Sequence, residues 1–344
     1  MSTEFQAQQV NRRKQDHIDA VLNDPLVERG NSGFESIRLQ HRALPELDFA
    51  RLDSSVRFLH KQLDLPLLIA SMTGGSGENL QHINRHLAEA AQQAGIAMAV
   101  GSQRAMILDK AAQASFDIRR YAPDIPLIAN LGAVQLNYGF GEDEARRVID
   151  ILEADALYLH LNPLQELIQP EGDTNFAHLL EKIAQLQNKI DVPIILKEVG
   201  CGLSDKDIEL GLSAGIRYFD IAGQGGTSWS RIESHRSDNS LGELFQDWGL
   251  TTLQSLEQAR AYQKQGYFIA SGGIRNGIDM IKAVIMGGRI CGIAAPFLAP
   301  AQDSTEAVLK TIGQFKQEFQ TAQFLLGVDK APKLHLNKQL VVAD

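Results

Sequence analysis

The chain has 344 residues, a net charge of −9, 44% hydrophobic and 22% charged residues. That length suits one (β/α)8 barrel of roughly 250 residues with terminal extensions. The acidic balance argues against nucleic-acid binding. No run of about 18 apolar residues is present, so no membrane span is expected. Met1–Lys14 is polar and lacks the apolar core of a secretory signal, which makes the cytoplasm the expected location. Cys201 and Cys291 form neither a metal-ligand spacing nor a disulfide framework and read as buried reduced thiols.

Eight short apolar runs follow one another along the chain. They are Leu65–Ala70, Ile96–Val100, Pro126–Asn130, Ala156–Leu161, Pro193–Lys197, Arg217–Ala222, Tyr267–Ser271 and Arg289–Ala294. Most are bounded by Pro, Gly or Asp, the pattern of strands buried on both faces. Between them, Leu80–Ala94, Asp143–Glu153, Phe176–Asn188, Thr251–Gln265 and Gly277–Met286 have the periodicity of amphipathic helices. Repeated strand–helix units predict a parallel sheet with right-handed crossovers, and eight of them predict a closed (β/α)8 TIM barrel. Residues 1–64 are expected to be an N-terminal extension covering the barrel mouth, 65–325 the catalytic barrel and 326–344 a C-terminal tail. Residues 224–249, after the sixth strand, form the longest interruption.

Active sites of such barrels lie at the C-terminal ends of the strands. Polar residues and glycines gather there in this sequence. The first strand runs into Ser71-Met72-Thr73-Gly74, the second into Gly101-Ser102-Gln103-Arg104, and the third ends at Asn130. The fourth carries His160 and Asn162, then Gln165 and Glu166; the fifth ends at Lys197-Glu198. The sixth leads to Gly225-Gly226-Thr227, the seventh to Gly272-Gly273-Ile274-Arg275, and the eighth to Ala294-Ala295. Small residues after strands seven and eight let backbone N–H groups approach a phosphate, and the next helix N-terminus favours the anion. No G-x-G-x-x-G follows a strand, so a nicotinamide cofactor is not held in the Rossmann manner.

Lys197 has three readings: an ion pair with Glu198, a Schiff-base nucleophile, or a fixed cation beside a flavin. Glu166 is either a solvated carboxylate or a ligand of Mg²⁺, which takes one or two carboxylates together with substrate phosphates. His160 reads equally as a core histidine or a substrate contact. Arg12-Arg13-Lys14 and His17 are either solvated or, folded over the mouth, cations for a diphosphate, to which Arg104 adds a planar fork.

Together these segments resemble the type 2 isopentenyl-diphosphate delta-isomerases. The matching stretches are R-K-x-D-H-I at Arg13–Ile18, M-T-G-G at Met72–Gly75, A-V-G-S-Q-R at Ala99–Arg104 and A-N-L-G at Ala129–Gly132. They continue with H-L-N-x-x-Q-E at His160–Glu166, P-E-G-D at Pro170–Asp173, K-E-V-G at Lys197–Gly200, G-G-T at Gly225–Thr227 and A-S-G-G at Ala270–Gly273. The H-L-N-x-x-Q-E segment is the most specific; the glycine pairs are shared with many flavin barrels. The resemblance implies FMN, Mg²⁺ and NADPH as reductant, a small-molecule diphosphate substrate, and a homo-oligomer of four or more subunits. By motif match, FMN would contact Ser71, Met72, Thr73, Gly74, Ser102, Asn130, Lys197, Thr227, Gly273, Ile274, Arg275, Ala294 and Ala295. Substrate would face Arg13, Lys14, Ser102, Gln103, Arg104, His160, Asn162 and Gln165. Glu166 would bind Mg²⁺, and Gln165, Lys197 and His160 would be catalytic. The rival reading is an FMN-dependent 2-hydroxy acid oxidase or dehydrogenase, which shares the barrel and the strand-seven loop. Such enzymes carry a histidine base in an H-G-G-R-Q segment after strand six, where this chain reads Ala222-Gly223-Gln224-Gly225-Gly226-Thr227.

Overall fold

The computed structural model describes residues 16–72, 74–236 and 240–342. A hairpin, β1 (Val56–Phe58) and β2 (Lys61–Leu63), precedes eight parallel strands: β3 (Leu67–Ile69), β4 (Ala97–Ala99), β5 (Leu127–Gly132), β6 (Ala156–Leu161), β7 (Ile194–Glu198), β8 (Tyr218–Asp220), β9 (Tyr267–Ser271) and β10 (Ile290–Ile293). Each of the eight pairs with the next, and β10 closes on β3, completing the expected barrel. Most residues of these strands are buried, which is why the sequence shows continuous apolar runs rather than alternation.

The helices form the outer layer. Glu78–Ala94 (α1) and Glu142–Leu152 (α2) start within two residues of their sequence-based limits. The expected Phe176–Asn188 helix is shorter, Leu179–Gln187 (α3), because His178 at its N-cap sits in the left-handed region. The expected Thr251–Gln265 helix is Thr252–Ala259 (α4), opened by a capping box between Thr251 and Gln254, and continues as a 3₁₀ turn, Arg260–Tyr262. Gly277–Ile285 (α5) lies against the long helix Thr305–Leu325 (α6); a Cβ on Gly277 would stand 2.3 Å from the Phe319 backbone nitrogen, so only glycine permits this approach.

Two apolar clusters result. One fills the space between the strands and the helices; the other, with Leu68, Ile128, Tyr158, Ile195 and Ile269, fills the barrel interior. The hairpin closes the bottom of that interior, Phe58 meeting Tyr267 at 5.4 Å and Tyr218 at 6.3 Å between ring centroids. The residues before the barrel therefore serve both of its ends. Residues 27–30 are stitched to the loop after β8, Arg29 N donating to Gly226 O and Gly30 N to Gly225 O. The stretch between these ends pairs with the C-terminal tail, through bridges Leu39–Val341 and Asp53–Lys330. Both cysteines are free; Cys291 is buried as expected, whereas Cys201 is only half-buried.

Candidate active site

The strand register assembles the upper layer of the barrel. It pairs Asn130 with Tyr158, His160 with Lys197, and Lys197 with Asp220. Above this layer lies a cavity of about 220 Å³. Ser71, Met72, Ser102, Arg104, Asn130, His160, Asn162, Gln165, Glu166, Lys197, Thr227, Gly273, Ile274, Arg275, Ala294 and Ala295 all line it.

Two expected residues do not. Gln103 is fully buried behind the wall: its Oε1 accepts from Asn130 N at 2.9 Å, and its Nε2 donates to Val148 O at 3.1 Å. It braces the strand that carries Asn130 and does not line the cavity. Gly74 also stays outside the lining; a Cβ there would lie 2.3 Å from the Phe116 ring, so packing accounts for the glycine. Arg13, Lys14 and Thr73 lie outside the described residues.

The floor of the cavity is a polar network. Asp220, with no exposed surface, accepts from Tyr158 Oη at 2.7 Å and from the Ser271 hydroxyl, and Lys197 Nζ stands 3.2 Å from its Oδ2. Lys197 is thus paired with Asp220 on the neighbouring strand and not with Glu198. The Glu198 carboxylate turns to the loop, where its Oε2 accepts from the backbone N–H groups of Val199 (2.7 Å), Gly200 (2.6 Å), Cys201 and Gly202 (3.2 Å). Burial nevertheless pushes the Glu198 carboxyl up to about 7. Burial, with Asp220 beside it, also raises the Tyr158 phenol well above its ordinary value.

On the next wall, Asn130 Nδ2 donates to Ser71 Oγ at 2.9 Å and to Val100 O at 3.0 Å. Its Oδ1 therefore faces His160 Nδ1 at 2.8 Å, which assigns the proton of that ring nitrogen.

Beyond β6 a short helix, Pro163–Ile168, raises Gln165 and Glu166 into the site. Glu166 Oε1 accepts from Asn162 Nδ2 at 2.9 Å, and Oε2 accepts from Asp173 N at 2.7 Å. Asp173 in turn holds Arg104 at 2.8 Å and Gln135 at 3.0 Å. Beside Glu166, Asn162 Oδ1 is buried without a hydrogen-bond partner among the described residues. One carboxylate next to an unsatisfied amide oxygen suits Mg²⁺, a hard cation that takes oxygen ligands. Among the described residues no group of three His, Cys, Asp or Glu side chains could cage a metal, so substrate and water would complete its shell.

Gln165 Nε2 donates to Glu233 Oε1 at 2.8 Å. Glu233 is fully buried and is also met by His17 Nε2 at 3.0 Å and Arg236 at 3.0 Å. Burial raises its pKa, but the hydrogen bonds and charges of His17, Gln165 and Arg236 outweigh that and bring it down to about 2. His17 stands edge-on to Trp229 at 5.1 Å, and both line the cavity roof.

The opposite end is a backbone cradle. Gly272 and Gly273 have φ of +102° and +70°, and Cβ atoms there would lie 2.0 Å and 2.6 Å from the carbonyl oxygens of Gly223 and Gly225. The two loops can interlock only without side chains. The helix Ala295–Asp303 starts beside them, so its first N–H groups favour an anion. Glu28 ties the cradle to the extension, accepting from Thr227 Oγ1 at 2.6 Å and pairing with the Arg275 guanidinium. Cradle, apolar walls and the Lys197 cation together fit FMN.

Comparison with known proteins agrees with this geometry. The family model described as FMN-dependent dehydrogenase matches residues 7–123 and 160–341. A protein of Hydrogenovibrio crunogenus named isopentenyl-diphosphate delta-isomerase is 64% identical over 337 residues, 97% of this chain and 98% of its own. The protein of that name from Paracoccus zeaxanthinifaciens is 55% identical, over 96% of each chain. The chain belongs to the isopentenyl-diphosphate delta-isomerase family. Among solved structures, a flavocytochrome b2 variant superposes with a TM-score of 0.69 at 17% identity, covering 95% of this chain and 82% of its own. An (S)-mandelate dehydrogenase mutant gives 0.67 at 16% identity, covering 98% and 99%. At that identity these two show a shared barrel only.

In this isomerase-family chain the residues missed by motif reading are those that hold the others. Asp220 and Tyr158 sit inside apolar runs and look like core. Glu233 lies in the interruption after β8, in no matched segment. Glu28 offers no spacing signal. His17 and Asp173 did appear in matched segments, and their position beside site residues marks them.

Proposed function

We propose that this protein interconverts isopentenyl and dimethylallyl diphosphate as a type 2, FMN-dependent isomerase. The observation that carries the reading is the Gln165–Glu233 hydrogen bond at 2.8 Å, facing a cavity whose floor holds Lys197. Moving a double bond by one carbon adds a proton at one carbon and removes one two carbons away, with no net redox change. An amide is a poor base, but Gln165 leads directly to a buried carboxylate ionised at neutral pH. Gln165 Oε1 would take the substrate proton as its Nε2 passes one to Glu233 Oε1, and the amide is restored when that proton is returned.

Bound and reduced, FMN would supply acid–base chemistry at the alkene, NADPH serving as the reductant that primes it. Lys197 would hold a positive charge beside the flavin, which stabilises its reduced, anionic form. Ser71, Met72, Ser102 and Asn130 would wall the ring, and Thr227, Gly273, Ile274, Arg275, Ala294 and Ala295 its phosphate end. Arg104, Ser102, Asn162 and His160, with Arg13 and Lys14 from the extension, would bind the diphosphate, and Glu166 its Mg²⁺. That remote binding energy would position the reacting carbons in a water-poor pocket. A homo-oligomer is part of the same reading: exposed Leu244 (75%) and Trp248 (62%) leave apolar surface beside the mouth.

Oxidation of a 2-hydroxy acid is disfavoured by residues 223–227, where the base histidine of that chemistry is replaced by Gly, Gln and Thr. The test is an anaerobic incubation with isopentenyl diphosphate, Mg²⁺ and dithionite-reduced FMN, without nicotinamide, followed by proton NMR. Dimethylallyl diphosphate over many turnovers is expected. Its absence with reduced FMN bound would overturn the reading.

A further inference from the structure

Lys197 does not enter the cavity alone. Its Nζ lies 3.2 Å from Asp220 Oδ2 and 5.7 Å from the centre of the Tyr158 ring. Asp220 has no exposed surface, and its oxygens also take the hydroxyls of Tyr158 and Ser271. All four residues come from different strands, β6 to β9. A carboxylate locked by two hydroxyls cannot follow the lysine if it moves; it fixes the ammonium at the cavity floor. A buried carboxylate also offsets a neighbouring positive charge, and in a low-dielectric interior that offset is large.

We propose that Asp220 is a positioning residue: it holds Lys197 at the cavity floor and sets how much of the lysine's charge reaches the bound flavin. The inference rests on the FMN reading above. Two-electron reduction with uptake of one proton leaves the ring with one negative charge, so its reduction potential reports the charge beside it. In Asp220→Asn the amide oxygen can still accept from the lysine and Tyr158, but the negative charge is gone. Lys197 then acts on the ring in full.

The experiment measures the FMN midpoint potential by dye-coupled anaerobic titration of wild type, Asp220→Asn, Lys197→Met and the double variant, with thermal melts as folding controls. Asp220→Asn is expected to favour reduced over oxidised FMN by about tenfold, a rise of about 30 mV for a two-electron couple. In the Lys197→Met background the rise should shrink to less than half, because no ammonium remains to be released toward the ring and only the charge of the carboxylate itself, which lies outside the cavity lining, is lost. An unmoved potential, or an equal rise in both backgrounds, would overturn the proposal while leaving the isomerase reading intact. If wild type fails to bind FMN, both fall. Should Asp220→Asn not fold, Tyr158→Phe removes one donor from Oδ2 and concentrates the carboxylate's charge on Lys197. It should lower the potential, by about threefold in the same ratio; no shift would again overturn the proposal.

Discussion

Replacing Glu233 by glutamine tests the proton path most directly. The substitution keeps the shape but removes a charge that Gln165, His17 and Arg236 all face. The depression of its pKa from 4.5 to about 2, at 1.36 kcal/mol per unit, is worth roughly 3 kcal/mol of stability. A depressed carboxyl contributes fully above its unfolded pKa, and the contribution is lost as pH falls from about 4.5 toward 2. Wild type should therefore lose stability through that window, and Glu233→Gln should be less stable at pH 7 and flatter in acid. As proton acceptor, Glu233 should be worth roughly 10²–10⁴ in kcat, the usual contribution of general base catalysis. The anaerobic NMR assay gives kcat, and thermal melts at pH 7 and at about pH 3, inside that window, give the stability arm. A Glu233→Gln enzyme within threefold of wild-type kcat would refute the path through Gln165, whatever its melting temperature.

Other perturbations probe the remaining parts. Gly273→Ala puts a Cβ 2.6 Å from Gly225 O at a φ of +70°, so FMN affinity should weaken by more than about tenfold, the effect of roughly 1–3 kcal/mol of backbone strain. Fluorescence titration of apoprotein reads this, and unchanged affinity would remove the phosphate end from this cradle. Glu166→Ala should raise the Mg²⁺ concentration needed for half-maximal turnover by about tenfold or more, as loss of a single carboxylate ligand implies; an unaltered Mg²⁺ profile would sink the metal assignment. Glu198, raised by burial to about 7, has the opposite pH sign to Glu233. The unfolded chain gives up that proton sooner, so stability should fall as pH rises from about 4.5 through 7. Glu198→Gln should abolish that slope in melts at pH 5 and pH 8.

The barrel was legible because every strand is buried on both faces, and such strands announce themselves as apolar runs without need of partners. The hairpin beneath it was not. Its turn places Leu59 and His60 at φ of +47° and +65°, where Asn-Gly is the usual signal. Packing of Phe58 and Leu63 into the barrel floor holds a turn that local preference would not choose. The site shows the same division. Lys197, His160 and Asn162 end strands, so position along the chain already places them at the mouth. Gln103 sits between two cavity residues in one loop, yet its amide turns back to brace Asn130 and Val148. A loop spends side chains on its own backbone before it offers any to a ligand, and adjacency in sequence cannot say which are spent. Asp220 reverses the case: inside the apolar run Arg217–Ala222 it looks like core, while its three partners, 23 to 62 positions away, give it a role. Motifs thus mark the atoms that face the ligand. The atoms that hold them become visible only once the register of the sheet puts distant strands side by side.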